Sequence, residues 1–485
     1  MMSRFLRHPV TRPRRLAMLT SLALTLAGCA SFTPDGGMTP VKGRIATELR
    51  KDAVKITSPA EAAQAKARVS ALLARPLTSD RAVQIALLNN RGLQAEYNTL
   101  GISEAAYVAA SLPPSPTFQL ERVVAGGELD IERRLVASVL SLLTLPARRD
   151  IAKTQFEAAR YRAIEATFRL AADTRKAYYR AVAARQTVGL LQKARLSAEA
   201  AGDLSRKLGE TGAATKLDQA RSASFYAEVS NRLAEARLQA GTEREALIRQ
   251  LGLWGNETDT KLPGTLPATP GKLPSSTEIE AQAVRKRVDL IAARLDLDAM
   301  TAELGLTQAS RYVSLLDLTG LANYTRASED GVKKRDYPRG FELEVQIPLF
   351  DLGETGVRRA RETYMQSVNR LVDKAVTVRS EARAAFLTYR GRHEIWRQYR
   401  ARILPLRKTI NEQAVLEYSG MLIDVFDLLT TTRESLDVSV AAIGAQRDFL
   451  IAGVDFQAAL IGGGSAPSSG GETAMAAAPA AGAAH

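Results

Sequence analysis

No proline occurs between Pro146 and Pro263, which leaves 116 consecutive residues open to helix. Within that run Ala152, Phe156, Ala159, Ala163, Ala166 and Leu170 step alternately by four and three, a heptad seam. The seam is rich in alanine, so neighbouring helices can approach closely. Gly209 and Gly212 interrupt the run once, which predicts two antiparallel arms with a tip near residues 209–215. An arm from Arg148 to Thr211 would be about 96 Å long at 1.5 Å per residue. No globular core is that deep.

The pattern then repeats. A Pro/Gly/Thr-rich linker over 256–277 separates a first unit, 77–255, from a second, 278–461. In the second unit Tyr364, Val368, Leu371, Ala375, Val378, Ala382 and Ala385 form another seam, and Gly420 marks another tip. The two helical hairpins align at an offset of 208. Arg175-Lys176-Ala177-Tyr178 then stands opposite Arg383-Ala384-Ala385-Phe386, and Gly212 opposite Gly420. A repeat of this length is an architectural signature. A helix over 78–111 and a return helix over 213–252, stacked end to end, would match the long arm in length.

Between the helices the period changes from seven to two. Thr117–Ala125 alternates Phe118 and Leu120 with Gln119 and Glu121, and Leu129–Val139 continues the alternation after a turn at Gly126-Gly127. In the second unit Val313–Arg326 reads as a strand, 327–338 as a polar loop, and Phe341, Leu343 and Val345 alternate with Glu342, Glu344 and Gln346. The expected fold is mainly α with a small β part: duplicated long antiparallel helical hairpins and four strands per chain. Four strands cannot close a membrane barrel, because single-chain barrels begin at eight and an open edge is not tolerated in lipid. Either the strands stay out of the membrane, or several chains share one barrel. Three chains would supply twelve strands.

The amino terminus reads as a targeting segment. A basic stretch from Arg4 to Arg15 precedes an apolar run, Leu16–Leu26, too short to span a bilayer. It ends in Leu26-Ala27-Gly28-Cys29, the pattern of a bacterial lipoprotein signal, and Cys29 is the only cysteine. The expectation is a signal peptide over 1–28, lipidation at Cys29, and an anchor and tether over 29–76. Residues 462–485 are Gly/Ala/Ser/Pro-rich and read as a disordered tail. Net charge is +14, or +9 without the leader, and charges alternate in sign along most segments. That suits a solvated helical surface better than a nucleic-acid stripe. One cysteine and three scattered histidines argue against a metal centre, and no P-loop, G-x-S-x-G, H-E-x-x-H or dinucleotide fingerprint is present. No cofactor, metal or catalytic residue is expected, and the chain reads as no enzyme.

Particular runs resemble the TolC-type outer-membrane efflux proteins over about residues 77–461. They are Leu77-Thr78, Ala82-Val83 and Asn89-Asn90-Arg91-Gly92-Leu93, with Ala283-Val284 and Arg287-Val288-Asp289-Leu290 as counterparts. Ile347-Pro348-Leu349-Phe350-Asp351-Leu352-Gly353 matches the family's strand-to-helix junction. Leu404-Pro405, Tyr418-Ser419-Gly420 and Asp424-Val425-Phe426-Asp427 match the approach to its second tip. The first repeat departs at Leu143-Thr144-Leu145-Pro146-Ala147-Arg148, which lacks the aspartate and glycine. The resemblance implies a homotrimer with a shared twelve-strand barrel in the outer-membrane lipid of a Gram-negative cell and a helical tunnel across the periplasm. It implies tips at Gly212 and Gly420 that meet a periplasmic adaptor protein, itself joined to an inner-membrane pump. The function implied is a passive exit duct. The alternative is a coiled-coil structural or adhesion lipoprotein without a pore.

The resemblance places Asp424 and Asp427 at the periplasmic aperture, as an acidic ring. Their plain reading is first-turn acids favoured by the helix dipole. Arg433, or packing through Met421 and Leu422, are candidates to hold closure, and Pro405 to ease bending. In a barrel, Glu342, Glu344 and Gln346 would face the lumen, and Phe341, Leu343 and Val345 the lipid. Tyr178 and Phe386 read as helix packing, and His393 as a surface residue.

Overall fold

The computed structural model describes residues 31–126, 128–270, 273, 278–329 and 332–464. The leader, Cys29 and the tail beyond residue 464 lie outside the described residues.

The first element is a departure from the expected tether. Helix α1 (Met38–Leu49) buries Met38, Val41, Ile45 and Leu49, spaced to fall on one helix face. They join a core with Val83, Leu87, Tyr97, Phe156 and Phe168. Helix α2 (Pro59–Leu73) follows, capped by Ser58 in a capping box that Glu61 completes.

The helix expected over 78–111 is two helices, α3 (Ser79–Asn89) and α4 (Arg91–Ser111). Asn90 leaves the helical region and its side chain caps α4 through the Leu93 N–H. Asn89 and Asn90 also donate to the carbonyls of Gly252 and Gln250 at 2.7 and 3.0 Å. Those carbonyls end the return helix α7 (Lys216–Leu251). The expected end-to-end stacking therefore exists, and the asparagine pair makes the joint. Gly252 holds a left-handed φ of 67° there, and a Cβ on it would meet the Asn89 carbonyl at 2.9 Å.

After strands β1 (Thr117–Ala125) and β2 (Glu128–Ser138), a short helix α5 (Val139–Leu143) leads into the first long arm, α6 (Leu145–Glu210). Its 66 residues span about 99 Å. Tyr178 lies in the core that α6 forms with α3 and α7, and its hydroxyl donates to the Leu77 carbonyl at 3.1 Å. Burial raises the Tyr178 phenol to about 12. The linker is not slack: Leu262 and Leu266 enter the same core, and the Leu266 N–H donates to the Gln186 amide oxygen at 2.9 Å.

The second unit repeats the plan with α8 (Ile279–Lys286), α9 (Val288–Ala309), four strand segments, and α10 (Glu354–Gln398). A π-helical turn, Tyr399–Ile403, joins α10 to α11 (Leu404–Ser419), and α12 (Val425–Ile461) returns. Phe386 packs on Phe456, and His393 lies against the Phe449 ring at 5.2 Å, so His393 is not a free surface group.

The π turn resolves the repeat's register. Up to it the offset of 208 fits: buried Ala382 and Tyr389 match buried Thr174 and Ala181. At the tips the offset is 209. Thr211 and Gly420 are the C-caps, with φ of −89° and −86°, and Gly212 and Met421 take left-handed φ of 78° and 58°. The Ala213 N–H donates to Leu208, and the Leu422 N–H to Glu417, both at 2.8 Å. Gly212 thus corresponds to Met421, not to Gly420 as the sequence alignment suggested. A π turn carries one residue more than the α-helical turn it replaces, which accounts for the shift.

Candidate functional site

The two ends of the molecule hold the residues singled out in the sequence. At one end are the helix tips. The first closes with a capping box in which Thr215 caps the return helix by accepting the Asp218 N–H and the Asp218 carboxylate accepts the Thr215 N–H. The hydrogen bonds from the Thr215 side chain and backbone hold its carboxyl below the ordinary range. At the second tip Asp424 takes the place of Thr215, and its side chain accepts the Asp427 N–H at 2.8 Å. Both acids are exposed. Arg433 is engaged elsewhere: it pairs with Glu228 at 2.6 Å and lies over the Phe225 ring. Met421 and Leu422 are 93% and 78% exposed, so they do not pack the tip within one chain. Phe426 is held by Arg221 of the first unit, stacked 4.5 Å from its ring centre.

At the other end lies the sheet. Strand β3 (Leu315–Ala322) runs on into β4 (Tyr324–Glu329), and β5 (Val332–Asp336) into β6 (Arg339–Gln346). One register serves both halves of each, since β2 pairs Arg134 with Leu321 and Ile131 with Tyr324, without a bulge. The Asn323 N–H bridges the break by donating to the Pro338 carbonyl at 2.9 Å. The polar loop expected over 327–338 is therefore mostly strand. The result is an up-and-down meander of four long strands, β1, β2, β3–β4 and β5–β6.

The pairing sorts the side chains, because residues directly opposite share a face. Phe118, Leu135, Gly320 and Phe341 form one row, and Ala137, Leu318 and Leu343 the next. The other face carries Glu342 opposite Thr319, Glu344 opposite Asp317, Gln346 opposite Leu315, and Glu121 opposite Glu132. Every residue of β1 and β6 is exposed, Phe341 at 81%, while β2 and β3 between them are mostly half-buried and Thr319 is buried. Among the described residues the meander also has two unpaired edges, β1 and β5–β6.

The junction from β6 to α10 explains the Pro348–Gly353 run. Asp351 accepts N–H bonds from Gly353 at 3.0 Å and Thr355 at 3.4 Å, as well as the Thr355 hydroxyl. Leu352 and Gly353 are both left-handed, and a Cβ on Gly353 would meet the Arg311 carbonyl at 2.2 Å. The first unit lacks this device and uses α5 and Thr144 instead.

A buried charge network stands at the second unit's joint. Arg287 forks onto Asp289 at 2.8 and 3.0 Å and also donates to Glu381, and Lys374 approaches Asp289 at 3.6 Å. It occupies the place that Asn90 holds in the first unit, between α8 and α9. Among the described residues, no group of acids, histidines or cysteines is arranged to hold a metal, and no helix is long and apolar enough to cross a membrane.

Solved structures share this arrangement. The CmeC outer membrane channel of Campylobacter jejuni is 17% identical, covering 79% of this chain and 86% of its own, with a TM-score of 0.67. The outer membrane protein VceC of Vibrio cholerae is 15% identical, covering 82% and 97%, with a TM-score of 0.65. The fold is that of the TolC-type outer-membrane channels. The open state of the MtrE outer membrane channel of Neisseria gonorrhoeae has the TolC-type fold too, at 17% identity, 79% and 88% coverage and a TM-score of 0.63. No protein-family profile and no curated protein sequence matches the chain.

Proposed function

We propose that this chain is the outer-membrane exit duct of a tripartite efflux or export system. It passively conducts substrates delivered by an inner-membrane pump and a periplasmic adaptor protein. In this reading three copies form a homotrimer, each giving four strands to a twelve-strand barrel and two helical hairpins to a periplasmic tunnel. Cys29 carries the lipid anchor, Gly212 and Gly420 mark the tips that meet the adaptor, and Asp424 and Asp427 line the aperture.

The observation that carries this reading is the sheet: its two outer strand segments β1 and β6 exposed throughout and, among the described residues, both edges unpaired, at the end of helices about 100 Å long. An unpaired edge must be covered before the sheet enters lipid. Strand directions alternate, so β1 of one copy can pair antiparallel with β5–β6 of the next and close a ring by a head-to-tail interface. The polar face also sets like charges directly opposite, Glu121 on Glu132 and Asp317 on Glu344. Such pairs are tolerable where water screens them, as in a lumen, and not against hydrocarbon.

Single-channel recording in a planar lipid bilayer tests the proposal. Purified protein should be a trimer by mass and should insert as uniform conducting units. Stable protein with no conductance would instead favour a coiled-coil envelope lipoprotein without a pore.

A further inference from the structure

The apolar-parity face of the sheet changes character along the strands. From Phe118, Leu135 and Phe341 down to Leu316 and Val345 it is apolar apart from Gly320. Towards the turns the same face mixes basic and aromatic with aliphatic side chains: Arg133 and Arg339 with Leu120, then Arg122, Tyr324 and Tyr337 with Ile131, then Arg326 opposite Arg335 with Val124 and Leu129. No carboxylate lies on this face in the paired strands; their acids are all on the other one. Arg122, Arg133, Arg335 and Arg339 are exposed and Arg326 is half-buried. Among the described residues none of the five pairs with an acid; the Arg133 side chain donates only to the Ala322 carbonyl. Tyr324 and Tyr337 face each other, ring centres 5.2 Å apart.

We infer that this arginine–tyrosine belt binds the anionic phosphate headgroups of lipids in the outer leaflet. The inference rests on the barrel reading above, which makes this face the outer wall. Arg335 lies eight residues from Leu343, about 27 Å along a strand and about 20 Å along the axis of a barrel tilted by about 40°. An apolar band about 25 Å tall, centred near Leu343, ends about 12 Å from its middle. The Arg326–Arg335 row therefore stands at headgroup depth, with Arg133 and Arg339 near the hydrocarbon boundary. Tyrosines at that level are an interfacial girdle. Arginine presents a planar fork that matches phosphate oxygens, and the five have no competing carboxylate on their own face. The carboxylates fill the lumen face instead, so the wall is charged with opposite sign on its two sides.

The test uses the full-length protein carrying Tyr337→Trp, reconstituted in phosphatidylcholine bilayers. Lipids spin-labelled near the headgroup serve as quenchers, either phosphatidylglycerol or phosphatidylcholine. The anionic lipid should be preferred by roughly fivefold or more per arginine engaged. High salt should bring that preference towards unity. The triple variant Arg326→Gln, Arg335→Gln, Arg339→Gln should do the same at low salt, while still being quenched by phosphatidylcholine. Inorganic phosphate should do no more than chloride at equal ionic strength. Equal quenching by both lipids, a preference that survives in the triple variant, or selective displacement by inorganic phosphate would overturn the inference and leave the barrel standing. Quenching by neither lipid would sink the barrel reading itself.

Discussion

The Asp424 carboxylate accepts the backbone N–H of Asp427 at 2.8 Å, so the acid nearer the second tip caps its own helix. This separates two roles that a simple deletion would confound. Asn caps as well as Asp, whereas Ala removes the cap at a cost of about 1 kcal/mol. Asp424→Asn with Asp427→Asn should therefore keep the trimer yield. If six carboxylates converge at the aperture, the double variant should lose block by polyvalent cations and become less cation-selective. Unchanged block at the same cation concentration would reduce both residues to helix-terminus acids.

The Arg287–Asp289 pair predicts a stability loss with a defined pH sign. Burial alone would raise the Asp289 carboxyl, but the hydrogen bonds and charge of Arg287, aided by Lys374, outweigh it and hold it below its ordinary value of 3.8. A group depressed in the folded state stabilises above that ordinary value, and the contribution disappears as pH falls through the folded value. Asp289→Ala should cost about 1.5–3 kcal/mol at neutral pH, because Arg287 loses its fork but keeps its bond to Glu381. Denaturant midpoints of variant and parent should converge only in strong acid.

The sheet faces should answer differently to charge. Leu343→Arg, placed mid-band on the proposed lipid face, should cost about 2–4 kcal/mol. Gln346→Arg on the opposite face should fold normally and shift ion selectivity towards anions. Cysteines at 341, 343 and 345 should resist a water-soluble maleimide in membranes, while those at 342 and 344 react.

Gly353 and Gly356 make a matched pair. Gly353 is left-handed, and an added Cβ would strike the Arg311 backbone, which cannot swing away. Gly353→Ala should cost more than about 2 kcal/mol. Gly356 sits in α10, where a Cβ would meet nothing nearer than the Thr307 methyl at 3.9 Å. Gly356→Ala should be neutral or stabilise by up to about 1 kcal/mol. Thermal unfolding of the two variants separates them.

Processing is checked by intact mass. The mature chain should begin at Cys29 with added acyl mass, and Cys29→Ser should keep the fold while losing the acyl chains. A mature chain without lipid would reject the anchor.

The long arms and the sheet were legible because each rests on a period: seven for the seams, two for the strands. The α1 helix was within reach, since Met38, Val41, Ile45 and Leu49 have helical spacing; the surrounding polar residues, Gly and Pro hid it. The strand nature of 327–338 was not legible. Lys334 and Arg335 show no alternation, because both faces there are polar or charged, and only pairing with β4 reveals the strand. The asparagine joint at Asn89 and Asn90 needs contacts 160 residues or more distant in sequence. The acids at Asp424 and Asp427 were visible as a motif. The capping bond and the engagement of Arg433 by Glu228 depend on three-dimensional placement.

The π turn at Tyr399–Ile403 bears on mechanics. One extra residue in an uninterrupted α-helix would swing everything beyond it by about 100° about the axis. Absorbed in a widened turn, the surplus leaves α11 in phase with α12, to which Arg407 ties it through Glu434 at 2.6 Å. Pro405 lacks an amide hydrogen and can donate nothing to that stretch of the ladder. The second arm is thus an elastic element with a built-in soft spot, opposed to a first arm of equal length that has none. Force applied at the two tips would be shared unequally, and bending would concentrate at this one level of the second hairpin.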